Sequence, residues 1–450
     1  MTARYALCIL LSILSLAGCA AVDIILSEES DEKTVMSISG SGEFWRSSSC
    51  RGCHSKVYSQ YAESMHDKSF ENPVFQAQYF NEVVPSIKDN ASMAEEAKKC
   101  IACHTPVSYI KNNGYIVSKD QVNNAMAGVT CDFCHTMTGF TGKEPGNGNY
   151  ISSPGDVKYG PIPTLTDHHK AYSDFFNKSE FCAVCHNATN HNGIEIKSTF
   201  TEWKQSDYAK KNIQCQDCHM NIKGYLTGGQ ALFESGKVGE TNWIQFKDYE
   251  RLYTHKFPGA HNKKQVEAAI SVSISEVNVE GEDMTVTVLV DNTNVGHMMP
   301  TGSAELRLLW LELQVKLDNN SLIWVPASSN IASGEKLDIA GISASDAETI
   351  GDDIPRGARI YRTVFADTQN KQTFSSYKAA KVLYDNRLNP LEVRKETYNF
   401  KLPKHAKNKL TLIVDLKYLP YPTAFSSRLG LKSASQYSLF TAERTLHLKR

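Results

Sequence analysis

The sequence predicts a chain of two unlike parts. Residues 43–263 make an α-poor region of short helices and loops, with too little regular structure to build a core from side chains alone. Residues 264–450 make an all-β sandwich of the immunoglobulin-like kind. Three observations predict this. Five C-x-x-C-H motifs lie between Cys50 and His219. Long helical periodicity is missing between them. After Cys218 cysteine stops, and short runs alternating apolar with polar residues take over.

The N-terminus comes first. Arg4 is a short positive segment, and Tyr5 to Leu16 is an apolar run too short to span a membrane. Leu16-Ala17-Gly18-Cys19 follows and resembles the lipobox of bacterial lipoproteins, in which cleavage leaves a lipid-modified cysteine as the first mature residue. Residues 1–18 are therefore expected to be a lipoprotein signal peptide, and Cys19 the lipidation site. Ala20 in place of an aspartate implies, by the same resemblance, the outer membrane as the destination. Residues 19–42 are polar, small and acidic without a strong period, the composition of a flexible tether. The expected location is the cell envelope, on its periplasmic or surface face.

The chain has 450 residues, enough for two or three domains, and 41% of them are hydrophobic. A formal net charge of -1 leaves no basic excess to neutralise phosphates, so nucleic acid is not an expected partner.

The motifs carry the chemistry. They read C-R-G-C-H, C-I-A-C-H, C-D-F-C-H, C-A-V-C-H and C-Q-D-C-H. Composition alone would supply on the order of 0.01 such matches. The spacing suits covalent attachment of a c-type haem. Two thiols add to the vinyl groups on one porphyrin edge, and the next residue swings its imidazole under the iron. Structural zinc would take two C-x-x-C pairs per ion, leaving one pair over and five histidines unexplained. A thioredoxin-like motif would occur once, near a βαβ pattern, and disulfides between such near neighbours would be strained. Five covalently bound haem c groups are therefore expected. Their thiols are Cys50, Cys53, Cys100, Cys103, Cys131, Cys134, Cys182, Cys185, Cys215 and Cys218. Their proximal ligands are His54, His104, His135, His186 and His219. The haems are expected to supply most of the core of this region, so that the chain without them is unfolded.

The far side of each iron decides between a carrier and an enzyme. Nine further histidines are present. His66, in Y-A-E-S-M-H, lies about three helical turns after His54, within a helix expected over Ser55 to Lys68, and is a distal candidate. One of His168 and His169 is another; adjacent side chains point apart and cannot share an iron. His255 and His261 frame H-K-F-P-G-A-H and suit two different haems. His297, in N-V-G-H-M-M-P, is either a ligand stapling the β part to the haem part or a turn histidine. His191 is equally open between a loop residue and a ligand. His405 and His447 fall in the β pattern as surface or core residues. Met220 follows the proximal His219 on the same porphyrin face, so it is expected to pack rather than to ligate.

Strands are expected over Ile270 to Ile274, Met284 to Val290, Leu306 to Val315, Arg359 to Phe365, Lys409 to Leu416 and from Thr445. Asp318-Asn-Asn320 and Gly351-Asp-Asp353 mark turns between them. Many short strands imply the sandwich, and no Cys…Trp…Cys signature makes it an antibody domain.

C-R-G-C-H…Y-A-E-S-M-H, S-E-F-C-A-V-C-H-N, T-E-W-K-Q-S-D-Y-A…C-Q-D-C-H-M and H-K-F-P-G-A-H together resemble bacterial multihaem cytochromes c. The superfamily includes hydroxylamine oxidoreductase and tetrahaem electron carriers, and the resemblance covers about residues 50–300. G-H-M-M-P-T-G and Y-D-N-R-L-N-P-L-E look like the C-terminal domain that some of these cytochromes carry. The resemblance implies an α-poor, haem-cored multihaem cytochrome domain. It also implies bis-His haems in close pairs, with His66, His255 and His261 as distal ligands. Hydroxylamine oxidoreductase has more haems than this chain has motifs, and the C-x-x-C-K site of pentahaem nitrite reductase is absent, so neither activity carries over.

The expected function is electron transfer through closely spaced, mostly bis-His haems. Expected partners are redox proteins or extracellular electron acceptors, the membrane through the lipid, and further copies of the chain. The rival is a redox enzyme with one open-faced haem acting on a small nitrogen or sulfur species. The β part would bind a partner protein, a polysaccharide or another subunit, or cap the haems.

Overall fold

The five motifs sit on, or close, short helical turns. In a computed structural model these are Ser47–Cys50 with the turn after it, Ala91–His104, Cys131–Cys134, Glu180–His186 and Cys215–His219. The local geometry has a simple cause. Residues three and four apart share one face of a helix, so the two thiols and the imidazole of C-x-x-C-H converge on one side. Polar caps start the turns. Asn90 accepts from Ser92 N at 3.0 Å, Thr130 from Phe133 N at 3.1 Å, and Asp217 from Gln214 N at 2.7 Å.

The structure describes residues 37–38, 42–163, 170–242, 244–327, 350, 353–355, 357–404, 406 and 408–448. The signal peptide, Cys19, most of the tether, His168, His169 and His405 lie outside the described residues. No described helix is long and apolar enough to cross a membrane.

The helix expected over Ser55 to Lys68 is shorter, Ser55–Ala62. Its continuation is captured by other segments. Ser64 Oγ accepts from Asp67 N at 3.2 Å, Met65 N donates to Phe257 O at 3.0 Å, and Val129 N donates to His66 O at 2.9 Å. His66 is thereby presented from a turn pinned on two sides.

The motif-bearing half buries more side chain on side chain than its sparse helices suggested. Phe44, Phe70, Tyr79, Ile101, Val107, Phe133 and Tyr150 share one core. Aromatic residues on short turns supply the apolar area that long helices would otherwise provide.

From Ser271 the chain is mostly strand. Ser271–Glu280, Asp283–Asp291 and Val393–Lys401 form one antiparallel sheet, with Val288 opposite Ile274 and Glu396. Leu308–Leu317 pairs with Leu322–Val325, Arg359–Tyr361 and Lys409–Leu419, and the last of these pairs with Tyr437–His447. A small sheet joins Thr363–Ala366 to Gln372–Thr373 and Lys381–Asp385. Val286, Val288, Leu311, Leu313, Leu412 and Val414, drawn from the two larger sheets, are buried together. The single strand expected over Arg359 to Phe365 is two strands in different sheets, with the buried Arg362 at the break.

The β part touches the motif-bearing part directly. Tyr377 joins the core around Ile101, and Ala77 joins a core with Trp310 and Phe425. Asn190 Nδ2 donates to Ala379 O at 2.7 Å, Thr199 Oγ1 meets Thr301 Oγ1 at 2.7 Å, and Tyr208 OH donates to Thr293 O at 2.8 Å.

Candidate haem-binding sites

Three of the five motif histidines are oriented by backbone carbonyls from other segments. His54 Nδ1 lies 2.9 Å from Val238 O, His104 Nδ1 2.9 Å from Ser69 O, and His135 Nδ1 2.7 Å from Tyr159 O. Two further histidines do the same locally: His255 Nδ1 to Tyr253 O at 3.1 Å and His297 Nδ1 to Met298 O at 3.0 Å. A carbonyl only accepts, so Nδ1 carries the proton and Nε2 keeps its lone pair for a metal. Burial holds the rings of His66, His104, His135, His186, His219, His255 and His297 neutral. It pushes His66 down to about 3, and His104, His219 and His255 down to about 4. His135, His186 and His297 are lowered by the same cause. The neutral imidazole is the form that binds metal.

Three motif histidines face a second histidine. The ring centres of His186 and His66 are 6.1 Å apart, those of His135 and His255 6.4 Å, and those of His219 and His297 6.4 Å. A ligating imidazole nitrogen sits about 2 Å from its metal, which puts each ring centre roughly 3 Å away and two opposed rings roughly 6 Å apart. The residues present therefore fit an iron held between each pair.

Aromatic side chains prop the rings. Phe257 packs on His66 at 4.5 Å and Phe176 on His135 at 5.5 Å. His104 stacks on Phe75 at 3.9 Å and 7°, and Phe75 stacks in turn on Tyr79. The His54 ring meets the edge of Phe246 at 5.8 Å.

The remaining sequence candidates are placed as follows. His261 lies against Tyr421 at 6.4 Å in the β part, and none of the three pairs includes it. His191 Nδ1 lies 3.6 Å from the Glu96 carboxylate. The Met220 backbone carbonyl accepts from Thr254 N at 2.8 Å. Sequence reasoning named the histidines but missed the carbonyls of Val238, Ser69 and Tyr159 and the props Phe75 and Phe176. A backbone acceptor leaves no signature in the sequence, and an aromatic residue in a loop resembles any core residue.

The motif thiols neighbour one another across motifs. Cys50 lies against Cys131, Cys103 against Cys185, and Cys182 against Cys215. Cys134 is close enough to Cys182 and Cys185 to bias their ionisation.

Short motif-bearing helices, facing histidine pairs and neighbouring thiol pairs suit a multihaem cytochrome c type of region. Residues 49–136, which span the first three motifs, match the family described as "Cytochrome c554 and c-prime". A penta-heme cytochrome c552 from Thermochromatium tepidum is similar in fold, with a TM-score of 0.59 and 18% identity. That match covers 89% of this chain and 99% of the other. A β-glucosidase from Kluyveromyces marxianus, in complex with glucose, aligns over 41% of this chain and 14% of its own at a TM-score of 0.15 and 9% identity, too low to carry an argument. No curated protein matches the chain. The family match supports a multihaem cytochrome c character over the first three motifs, and the solved structure shows a shared fold.

Proposed function

We propose that the chain is a pentahaem c-type cytochrome that passes electrons through closely spaced haems, bis-His at three motifs or more. The observation that carries this is the set of three histidine pairs at 6.1 to 6.4 Å, each holding one C-x-x-C-H histidine. When bound, a haem iron with two imidazole ligands accepts and releases single electrons. The chain's own residues do the rest. Carbonyls fix the tautomers of His54, His104, His135, His255 and His297, burial keeps His66, His104, His135, His186, His219, His255 and His297 neutral, and Phe75, Phe176 and Phe257 hold the rings still.

The thiol contacts support an order of sites that motif order does not suggest. The first motif adjoins the third through Cys50 and Cys131. The third approaches the fourth through Cys134. The fourth adjoins both the second, through Cys185 and Cys103, and the fifth, through Cys182 and Cys215. We read this as a path from first to third to fourth, branching to the second and fifth.

The finer parts of the reading rest on sequence. They are membership of the superfamily that includes hydroxylamine oxidoreductase, an immunoglobulin-like sandwich for the two-sheet core, and a lipid anchor on Cys19 with an outer-membrane address.

Intact mass and a pyridine haemochrome assay on the purified protein test the proposal. Five covalent haems and a reduced spectrum of low-spin, bis-imidazole character are expected. Fewer covalent haems than motifs, or a spectrum dominated by high-spin iron, would sink it.

A further inference from the structure

His297 belongs to the β part, yet it faces His219 of the last motif at 6.4 Å. Its loop is gripped by a buried ion pair. Glu202 comes from the helix Thr199–Gln205, between the fourth and fifth motifs, and Arg387 follows the strand Lys381–Asp385. Arg387 Nη1 lies 2.9 Å from Glu202 Oε1, and the two side chains are 6% and 7% exposed.

The pair's other contacts converge on the segment after His297. Glu202 Oε2 accepts from Met298 N at 3.0 Å, and Arg387 Nη1 donates to Pro300 O at 3.3 Å. Asp385 holds the guanidinium from behind, accepting from Nε at 3.0 Å and from Nη2 at 2.7 Å. Ser198 Oγ donates to Glu202 Oε1 at 2.5 Å. The β part also pairs Met299 with Leu388 through two backbone hydrogen bonds of 2.9 Å. On the other side, a Cβ at Gly296 would lie 3.2 Å from Tyr208 and 3.3 Å from Trp203, so the loop is seated tightly against the motif-bearing part.

Burying two charges is costly, and a buried pair returns little net stability over an apolar substitute. What such a pair does supply is one geometry: breaking it leaves an uncompensated charge. Here the geometry it defines is that of the residues next to His297.

We infer that Glu202 and Arg387 are positioning residues that lock His297 into place opposite His219, so that the seating of the β part sets the ligation of the last haem. This rests on the reading of His297 as a ligand. Their hydrogen bonds to the loop go to the backbone of Met298 and Pro300.

The test uses the full holo-protein with four substitutions made separately: His297→Ala, Arg387→Met, Glu202→Ala and the near-isosteric Glu202→Gln. Haem content, electron paramagnetic resonance and the carbon monoxide response of the reduced protein are read for each. Arg387→Met and Glu202→Ala are expected to keep the full haem content. Each should convert one motif's share of the signal to a high-spin, carbon monoxide-binding form that added imidazole returns to low spin. If these two do not accumulate as holo-protein, Glu202→Gln decides: carbon monoxide association at least tenfold faster than wild type supports the lock. An unchanged spectrum overturns it, and so does a change spread over several haems, which marks a general structural role. His297→Ala separates the two levels. If it opens no haem, the ligand reading itself fails. If it opens one and the Glu202 and Arg387 variants do not, only the positioning inference fails.

Discussion

The imidazole of His66 faces that of His186 with ring centres 6.1 Å apart, although two complete C-x-x-C-H motifs lie between them in the chain. The histidine nearest the first motif in sequence is thus the partner of the fourth. His66 reaches it because the helix after the first motif stops at Ala62, and Phe257 and Val129 capture the turn that follows.

Replacing His66 by alanine is therefore expected to open the haem of Cys182 and Cys185, not that of Cys50 and Cys53. The haem count should stay at the wild-type value. One motif's share of the reduced spectrum should shift on exposure to carbon monoxide, and adding imidazole should reverse the change. Combining His66→Ala with removal of the fourth motif identifies the haem. If the carbon monoxide response survives the loss of that motif, the pairing of His66 with His186 is wrong.

The motifs were legible because their chemistry is local: two thiols and an imidazole on one helical turn need only five consecutive residues. Candidates such as His66, His255 and His297 were legible as histidines, but which faces which was not. That pairing is set by long-range contacts such as Met65 N to Phe257 O. The β pattern was clear where one face is buried, as in Met284, Val286, Val288 and Val290. It was hidden in Val393–Lys401, where charged residues fill the strand and the inward Glu396 is paired with Arg359 at 3.0 Å. The split at Arg362 was hidden too, because a run of β-forming residues such as Ile360, Tyr361, Thr363 and Val364 does not reveal a change of sheet.

Core packing in the β part gives a second prediction. Leu311 is fully buried between the two larger sheets, whereas Val393 on the edge of its strand is 45% exposed. Leu311→Ala is expected to cost about 2–5 kcal/mol through lost transfer energy and the cavity left behind. Val393→Ala should stay within about 0.5 kcal/mol. Denaturant unfolding of the two holo-variants, followed by tryptophan fluorescence, checks the contrast. Equal losses would mean that the shared core of these sheets is not what stabilises them.

A third prediction concerns the N-terminus. Leu16-Ala17-Gly18-Cys19 is read as a processing and lipidation site, and one acyl chain gives only marginal membrane binding while several anchor firmly. Cys19→Ala should move the protein from the membrane fraction to the soluble fraction of the envelope and abolish incorporation of labelled fatty acid, with haem content unchanged. Labelled fatty acid persisting in the Cys19→Ala protein would place the anchor elsewhere or dispose of it.

In the proposed order of sites the fourth motif is the junction. Cys185 neighbours Cys103 and Cys182 neighbours Cys215, while Cys134 of the third motif biases both. Removing a terminal site should leave the remaining haems connected; removing the junction should not. The double substitution Cys182→Ala with Cys185→Ala is expected to yield a protein lacking one haem, with the first and third motifs cut off from the second and fifth. The comparison is a protein lacking only the first motif's haem, made through Cys50→Ala with Cys53→Ala. After a reducing pulse, electrons should redistribute among its remaining haems as fast as in the wild type. In the junction variant the redistribution should slow by orders of magnitude, because each tunnelling step must now cross the space that one porphyrin filled. Equal rates in the two variants would mean that electrons bypass the fourth site, and the branched order read from Cys103, Cys134, Cys182, Cys185 and Cys215 would have to be abandoned.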